Sequence, residues 1–557
     1  MNASAIPTQQ QPRVTIYNLP PSPAKWDAVG IFYITFCATW TALVLAGMAF
    51  CWVNRQSPVL KIRGLPLSFA SITFLHLYWI LAQITYPIGM TMPIVLAYDI
   101  QYFFMGIWFP LGIALFHASN LRFLHVAKLQ KQFTDPEFSY RDERHKEGKP
   151  WLRRLRNMSY TRRVLVFIGT AMILQVLLTV GMWFACEKYH PTYGIPGTGI
   201  RSWTLPEQIV ELGQGWEWWP SVLWQVIWTW IVAPFLIFRS WKIRDTMGWR
   251  VQTIGCCLAS LHATPMFLIA TYVPAFAPIN AYFHPSQWIH LSIMFFEIFT
   301  VFVPAFQVLK LKSMKKGTAS FSDNWETTSR TATLRAPTSS SDIKFAYASS
   351  AEKGHVQDTY MTSDDLDGRL LTMDALEHVL NCSPSQLQQF SALCDFSGEN
   401  VAFITRASAL RTTQIDGNDE RRQQAFARAL DIYINFISPR DAEFPLNLPS
   451  QELRQLEVVF ERSARALLGE TSVNLATPFE DPQPASREGA ASQFTGEAPE
   501  IFDLFVFDKA ISHVKYLVLT NTWPKFVATM QKRKRSDETS RSFSSGFTGG
   551  SGSTFAN

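Results

Sequence analysis

Long stretches without charged residues dominate the amino-terminal half of the chain. Residues 28–54 contain no Asp, Glu, Lys or Arg, which is enough helix to cross about 30 Å of hydrocarbon. The same pattern recurs six more times, at about 65–86, 93–117, 164–186, 218–238, 251–274 and 286–309. The sequence therefore predicts a bundle of seven transmembrane helices over residues 28–312, and so a lipid bilayer as its surroundings.

Positive charges are distributed unevenly between the two sets of segments that connect these helices. Segments 54–64, 118–163 and 239–250 together hold 19 Lys and Arg, whereas the segments on the opposite side hold four. Positively charged loops favour the cytoplasmic side. We therefore expect the N-terminus outside, with a short tail over residues 1–27, and the C-terminus in the cytoplasm. We expect the plasma membrane as the location of the bundle.

The pattern changes after residue 312. Residues 313–368 are rich in Ser and Thr and have no apolar periodicity, so we expect a disordered linker. Residues 469–500 resemble a loop insertion, and residues 531–557 a second disordered tail.

Between the linker and the tail, residues 369–530 show apolar positions at helical spacing. One such stripe consists of Phe426, Leu430, Tyr433, Ile434 and Ile437, and two others follow it. Strand signals are scarce. The pattern predicts a compact, all-α domain after the bundle, and hence an all-α protein.

Composition excludes several functions. A net charge of +6 on 557 residues is too small to suggest nucleic-acid binding. The seven cysteines show no metal-finger spacing, so we expect no metal and no cofactor. The helical domain contains no phosphate-binding loop and no nucleophile–base pair. We therefore expect an interaction domain and not an enzyme.

Polar residues at membrane depth are candidates for a ligand site or a switch. His76, His262 and Glu297 are expected near mid-membrane, and Asp99 in the outer third of the third helix. They would form a pocket for a small-molecule ligand or a polar cluster sensitive to protonation. The alternative is that they make hydrogen bonds that only hold the helices together.

Three classes of seven-helix protein were compared. A retinal protein needs a lysine in the seventh helix, and 286–309 contains none. A transporter is expected to show matching interrupted helices in its two halves; Pro234, Pro265 and Pro304 have no matching set in helices one to three. The rhodopsin-like motifs are also missing, since the third helix ends in HASNLR and not in Asp-Arg-Tyr. A receptor-like signalling bundle is favoured.

Four blocks of the helical domain carry a specific resemblance. Phe390–Phe403 (FSALCDFSGENVAF) is similar to F-x-x-F-L-x-x-E-F-S-x-E-N-x-x-F, and Ile432–Ile437 to I-Y-x-x-F-[LI]. Pro445–Leu448 is similar to E-I-N-L, and Tyr516–Phe526 to Y-x-L-M-x-x-D-S-[YF]-x-R-F-L. In this order they resemble the regulator of G-protein signalling (RGS) domains. With the bundle, the chain resembles the fungal receptor-like class that carries such a domain, and the plant seven-span RGS proteins in plan.

The resemblance implies a GTP-bound Gα subunit as partner. An RGS domain docks on the Gα switch regions and speeds GTP hydrolysis without contributing a base or nucleophile. By position, the Gα-contacting residues would be Glu399, Asn400, Asn447, Leu517, Asn521 and Lys525. Asn521 and Lys525 depart from the family's Asp and Arg, which puts the strength of the activity or the choice of Gα in question.

Two alternatives stay open. The chain could be a transporter or ligand-binding seven-span protein whose helical domain is only a scaffold. It could also be an RGS domain that inert helices merely tether to the membrane.

Overall fold

The computed structural model describes residues 13–134, 160–317, 370–412, 419–469, 496 and 498–533. All regular secondary structure in these ranges is helical. Seven of the helices are long and apolar enough to cross a membrane. The predicted all-α class and the seven spans are confirmed, and they indicate an integral membrane protein. Most of the predicted linker, loop insertion and carboxy-terminal tail, and the first twelve residues, lie outside the described ranges.

The seven apolar helices agree with the predicted spans, but α2, α3, α5 and α7 are longer. They are α1 (Ala28–Val53), α2 (Leu65–Thr91), α3 (Ile94–Thr134), α4 (Arg163–Ala185), α5 (Leu205–Trp241), α6 (Trp249–Tyr272) and α7 (Gln287–Gly317). Helix α3 continues well past residue 117, α5 begins before residue 218, and α7 passes the predicted end of the bundle at 312. The apolar pattern marks only the membrane-crossing part, and helix formation continues into polar sequence.

Five helical turns are wider than an α-helical turn, and each ends two residues before a proline. The turns are Phe104–Trp108, Ile227–Val232, Ile298–Phe302, Tyr433–Ile437 and Val518–Thr522. The prolines are Pro110, Pro234, Pro304, Pro439 and Pro524. Proline lacks an N–H and its ring crowds the carbonyl four residues earlier. In each case the residue before it donates to the carbonyl five residues back. Helix α3 therefore also has a wide turn before a proline, at Pro110. Pro110 was not considered when Pro234, Pro265 and Pro304 were found to have no match in helices one to three.

The bundle buries one side of most helices and leaves apolar side chains outside. At its centre, Phe116 of α3 stacks on Phe296 of α7 with ring centroids 4.2 Å apart. In contrast, Ile173, Leu174 and Leu177 of α4 are all more than half exposed. Exposed apolar faces of this kind are expected where helices meet lipid, since no water has to be excluded there.

The contacts divide the described residues into two units. The first contains residues 13–128 and 160–308. The second contains 129–134, 309–317 and the described residues from 370 onward. The six residues that end α3 therefore belong to the second unit.

The second unit is a helical domain. Its helices are α8 (Met373–Cys382), α9 (Pro384–Leu393), α10 (Gly398–Arg411), α11 (Asp419–Ile432), α12 (Ser450–Leu468) and α13 (Asp508–Leu517). The predicted stripe from Phe426 to Ile437 is fully buried. Phe460 of α12 lies at the centre, with ring centroids 5.7 Å from Phe426, 5.3 Å from Tyr433 and 5.5 Å from Phe507.

Candidate functional sites

The first turn of α10 carries two of the predicted contact residues, Glu399 and Asn400, and both are half-buried. Ser397 occupies the N-cap position, but its side chain makes no capping hydrogen bond. Its hydroxyl donates instead to the Asp395 carboxylate, at 3.1 Å. The residue between them, Phe396, has a φ of 47°, a backbone conformation that is strained for a bulky side chain. The turn is shaped by buried partners and not by local capping.

Asp395 joins this turn to the helical segment that contains Thr522 and Lys525. Its Oδ2 accepts from Thr522 at 2.8 Å, and its Oδ1 lies 2.6 Å from the Lys525 ammonium. The Asp395 side chain is 1% exposed and that of Lys525 13%. Lys525 is therefore directed to a buried carboxylate inside the domain. The structure brings the first and last sequence blocks together through this pair.

Asn521 and Leu517 lie on the same final helix but are not presented equally. Asn521 is only 7% exposed, and its Oδ1 has no hydrogen-bond partner among the described residues. Leu517 is half-buried. Asn521 falls in the wide turn before Pro524, which displaces its side chain from the position that a regular helix would give it.

Asn447 is exposed and its backbone is fixed. His513 of α13 hydrogen-bonds the Asn447 carbonyl at 3.1 Å, and the neighbouring Leu446 N–H donates to the Phe436 carbonyl at 2.8 Å. The loop is thus held from two sides while the Asn447 side chain remains available to a partner.

The end of α3 also contributes to this domain, which sequence reasoning missed. Phe133 is 4% exposed and belongs to the domain's hydrophobic core. Gln130 hydrogen-bonds both the Gly398 N–H and the Glu399 carboxylate, each at 3.0 Å. Leu129 and Phe133, four residues apart in an otherwise polar stretch, were the available sequence signal.

Within the bundle, two of the four candidate polar residues meet. The Nδ1 of His76 lies 2.7 Å from Glu297 Oε1, and its Nε2 lies 3.0 Å from the Thr41 hydroxyl. Trp40 donates to the other carboxylate oxygen at 2.5 Å. Glu297 is fully buried. This cluster joins α1, α2 and α7, and buried ionisable groups at membrane depth are costly unless paired in this way.

The other two candidates lie elsewhere. Asp99 accepts a hydrogen bond from Trp183 Nε1 of α4 at 2.8 Å. His262 lies where α6 is interrupted between Ser260 and Ala263. Of the four candidates, His76 and Glu297 meet, whereas Asp99 contacts Trp183, because the depth of a residue in the membrane does not determine which way its helix is rotated.

A cavity of about 260 Å³ opens among α2, α3, α5, α6 and α7. Its polar lining includes Tyr78, Gln101, Asn280, His284 and His290. Neither Asp, Glu, Lys nor Arg lines it, and neither does any of the four candidate residues. Burial lowers the pKa of the His284 imidazole, in the loop before α7, to about 4, so this ring is uncharged at neutral pH. The cavity suits an uncharged molecule with both apolar and hydrogen-bonding groups.

Arg63 is a buried cation that the sequence reasoning did not single out. Its guanidinium donates to Gln252 Oε1 at 3.1 Å, to the Val59 carbonyl at 2.6 Å and to the Met247 carbonyl at 2.9 Å. Burial lowers its pKa to about 10, so it stays charged at neutral pH. It ties the α1–α2 loop to the α5–α6 loop and to α6.

Lys188 and Glu217 also form a buried ion pair. Their Nζ and Oε1 atoms are 2.9 Å apart, with side chains 6% and 0% exposed. The ammonium also donates to the Glu211 and Gln214 carbonyls, at 3.1 and 2.8 Å. The α4–α5 loop is thereby fastened to the start of α5.

Within the described ranges, no three or more His, Cys, Asp and Glu side chains lie together in a group that could hold a metal ion. Searches against known protein families, curated proteins and solved structures found no match for this chain.

Proposed function

We propose that this chain is a membrane-anchored regulator of heterotrimeric G-protein signalling that speeds GTP hydrolysis on a Gα subunit. The helical domain would supply that activity from the cytoplasmic side, with the N-terminus outside the plasma membrane. The bundle would anchor it and sense a small molecule.

The observation that carries the proposal is that the first and last resembling blocks meet at one buried carboxylate, while other contacts fasten the loop of Asn447. Asp395 holds the turn of Glu399 and Asn400 against the final helix through Thr522 and Lys525. The loop of Asn447 is fastened to the preceding part of that helix by His513. Blocks far apart in sequence are thus parts of one rigid arrangement, as docking on a partner requires.

Acceleration would come from holding the Gα switches and not from chemistry on this chain. Gα itself carries the Gln that orients the attacking water and the Arg that stabilises the transition-state charge. A partner that binds these groups best in their transition-state geometry lowers the barrier. Glu399, Asn400 and Asn447 are the residues assigned to that contact, with Asn447 directed to the region of the Gα glutamine.

Asn521 and Lys525, which replace the family's Asp and Arg, leave fewer residues of the last helix for contact with Gα. Asn521 is buried, and Lys525 is paired with Asp395. We therefore assign them to shaping the surface, while Leu517 remains the contact residue on that helix.

The bundle cavity supports the sensing half of the proposal. Its volume of about 260 Å³ and its lining without Asp, Glu, Lys or Arg fit an uncharged small molecule. Replacing the bundle by an unrelated membrane anchor, with residues 129–134 retained, tests this. Unchanged regulation in cells would show that the bundle only tethers the domain.

Single-turnover GTP hydrolysis tests the regulatory half. The full chain in lipid nanodiscs is added to GTP-loaded Gα subunits of the source organism, and phosphate release is followed. Acceleration that Asn447→Ala reduces supports the proposal. An unaltered hydrolysis rate with every Gα favours the alternative, a transporter or ligand-binding bundle whose domain is a scaffold.

A further inference from the structure

The segment Leu129–Thr134 is built into the helical domain. Phe133 is 4% exposed within the domain's hydrophobic core, with ring centroids 6.0 Å from Phe444 and 6.2 Å from Phe436. The Gln388 side-chain amide donates to the Phe133 carbonyl at 2.5 Å. Both the side chain and the backbone of the segment are therefore fixed by the domain.

Gln130 binds the first turn of α10. Its Oε1 accepts from the Gly398 N–H, and its Nε2 donates to Glu399 Oε2, both at 3.0 Å. Gln130 is itself fully buried. One amide thus satisfies an N–H at the helix N-terminus, where Ser397 does not cap, and engages the carboxylate assigned to Gα contact.

The segment also reaches the loop that presents Asn447. Gln132 Nε2 donates to Glu443 Oε2 at 3.1 Å, and Glu443 lies four residues before Asn447. Residues 129–134 therefore extend from the Glu399 turn to the loop that presents Asn447.

Gly398 permits this close approach. A Cβ at position 398 would lie 2.8 Å from the Cβ of Phe133 and 2.8 Å from that of Ala392, closer than atoms can pack. The turn therefore fits the segment as tightly as it fits its own neighbouring helix.

We propose that residues 129–134 form a displaceable cap on the Gα-contact face, and that docking of the cap and docking of Gα exclude one another. This inference rests on the proposed function. With the cap docked, Gln130 occupies Glu399 Oε2, so a Gα switch that engages this oxygen has to displace the cap.

The size of the effect follows from the fraction of domains that are uncapped. The apparent affinity for Gα is the affinity of the uncapped domain multiplied by the fraction of domains that are uncapped. Loss of a hydrogen bond to a charged group weakens an interaction by about tenfold or more. Removing the Gln130 amide is therefore expected to raise the apparent GTPase-activating efficiency about tenfold, until the uncapped form predominates.

The test uses the full chain in nanodiscs, as wild type and as Gln130→Ala, Phe133→Ser and Lys131→Ala. Lys131 is exposed in the same segment, so Lys131→Ala is the matched control. Each protein is assayed at subsaturating concentration in single-turnover GTP hydrolysis. Hydrogen exchange is measured with and without Gα loaded with GDP and aluminium fluoride. Exchange protection in α13 shows that each variant is folded.

We expect Gln130→Ala to accelerate hydrolysis about tenfold more than wild type, and Lys131→Ala to match wild type. Gα is expected to speed exchange at residues 129–134 while it slows exchange at 398–400. Equal acceleration by wild type, Gln130→Ala and Phe133→Ser, with exchange at 129–134 unaffected by Gα, would overturn the cap and leave the proposed function standing. No acceleration by any variant would overturn both.

Discussion

At the scale of single residues, Asp395 links two parts of the helical domain that are far apart in sequence. It is the common partner of Ser397, Thr522 and Lys525. The sequence placed Asp395 and Lys525 in matching blocks, but it could not show that they pair, because 130 residues separate them. It also placed Asn521 on the contact surface, whereas the wide turn before Pro524 buries it.

Breaking the Asp395 pair should destabilise the domain. Asp395→Asn leaves the Lys525 ammonium without its carboxylate in a nearly buried position, at a cost of about 3 kcal/mol. The measurement is urea unfolding of the domain in the full chain, followed by hydrogen exchange in α10 and α13.

The matched control for Asp395→Asn is Arg411→Gln. Arg411 and Asp508 lie 3.3 Å apart but are 45% and 40% exposed, so this change should cost less than about 1 kcal/mol. Equal effects of the two substitutions would show that the Asp395 pair does not hold the domain together.

The bundle cluster allows a second prediction. His76→Ala removes one of the two ring partners of the buried Glu297 carboxylate and should lower bundle stability by about 3 kcal/mol. Thr73→Val, an exposed position on the same helix, is the control. Thermal unfolding in detergent is the measurement, and a shift no larger than that of Thr73→Val contradicts the assignment.

Secondary-structure elements were predicted better than the contacts they make. Uncharged length identified all seven spans, because hydrocarbon thickness fixes the length of a crossing helix. It missed the continuation of α3 to Thr134, although residues 118–134 contain neither Gly nor Pro. The absence of helix breakers was the better guide at that end, and the prolines two residues after each wide turn were the guide to local geometry.

Arg63 acts at the same scale, because it connects elements. Arg63→Ala removes three hydrogen bonds to the α1–α2 loop, the α5–α6 loop and α6, and should destabilise the bundle by about 3 kcal/mol. Arg63→Lys should recover less than half, since an ammonium cannot reproduce the planar fork. Thermal unfolding measures both.

The control for this series is Arg55→Ala. Arg55 is exposed in the same loop, and its guanidinium donates to the Trp52 carbonyl at 3.3 Å. If Arg63→Lys matched wild type, or Arg55→Ala were as damaging as Arg63→Ala, the directional role of the guanidinium would be wrong.

At the scale of the whole molecule, the sequence predicted a bundle followed by a helical domain, but it did not predict which residues belong to each unit. The predicted boundary lay between the bundle and a linker, but residues 129–134 belong to the second unit. Hydrophobic periodicity reports which face of an element is buried, not which part of the chain covers it. The cap on the Glu399 turn is a long-range contact of this kind.

The most direct measurement is single-turnover GTP hydrolysis by Gα subunits of the source organism, with the full chain in nanodiscs as wild type, Gln130→Ala and Asn447→Ala. We expect wild type to accelerate phosphate release, Gln130→Ala to accelerate it further, and Asn447→Ala to reduce the acceleration at least tenfold without loss of folding. Hydrolysis at the intrinsic rate of Gα with both wild type and Gln130→Ala, for every Gα tested, would contradict the proposed function.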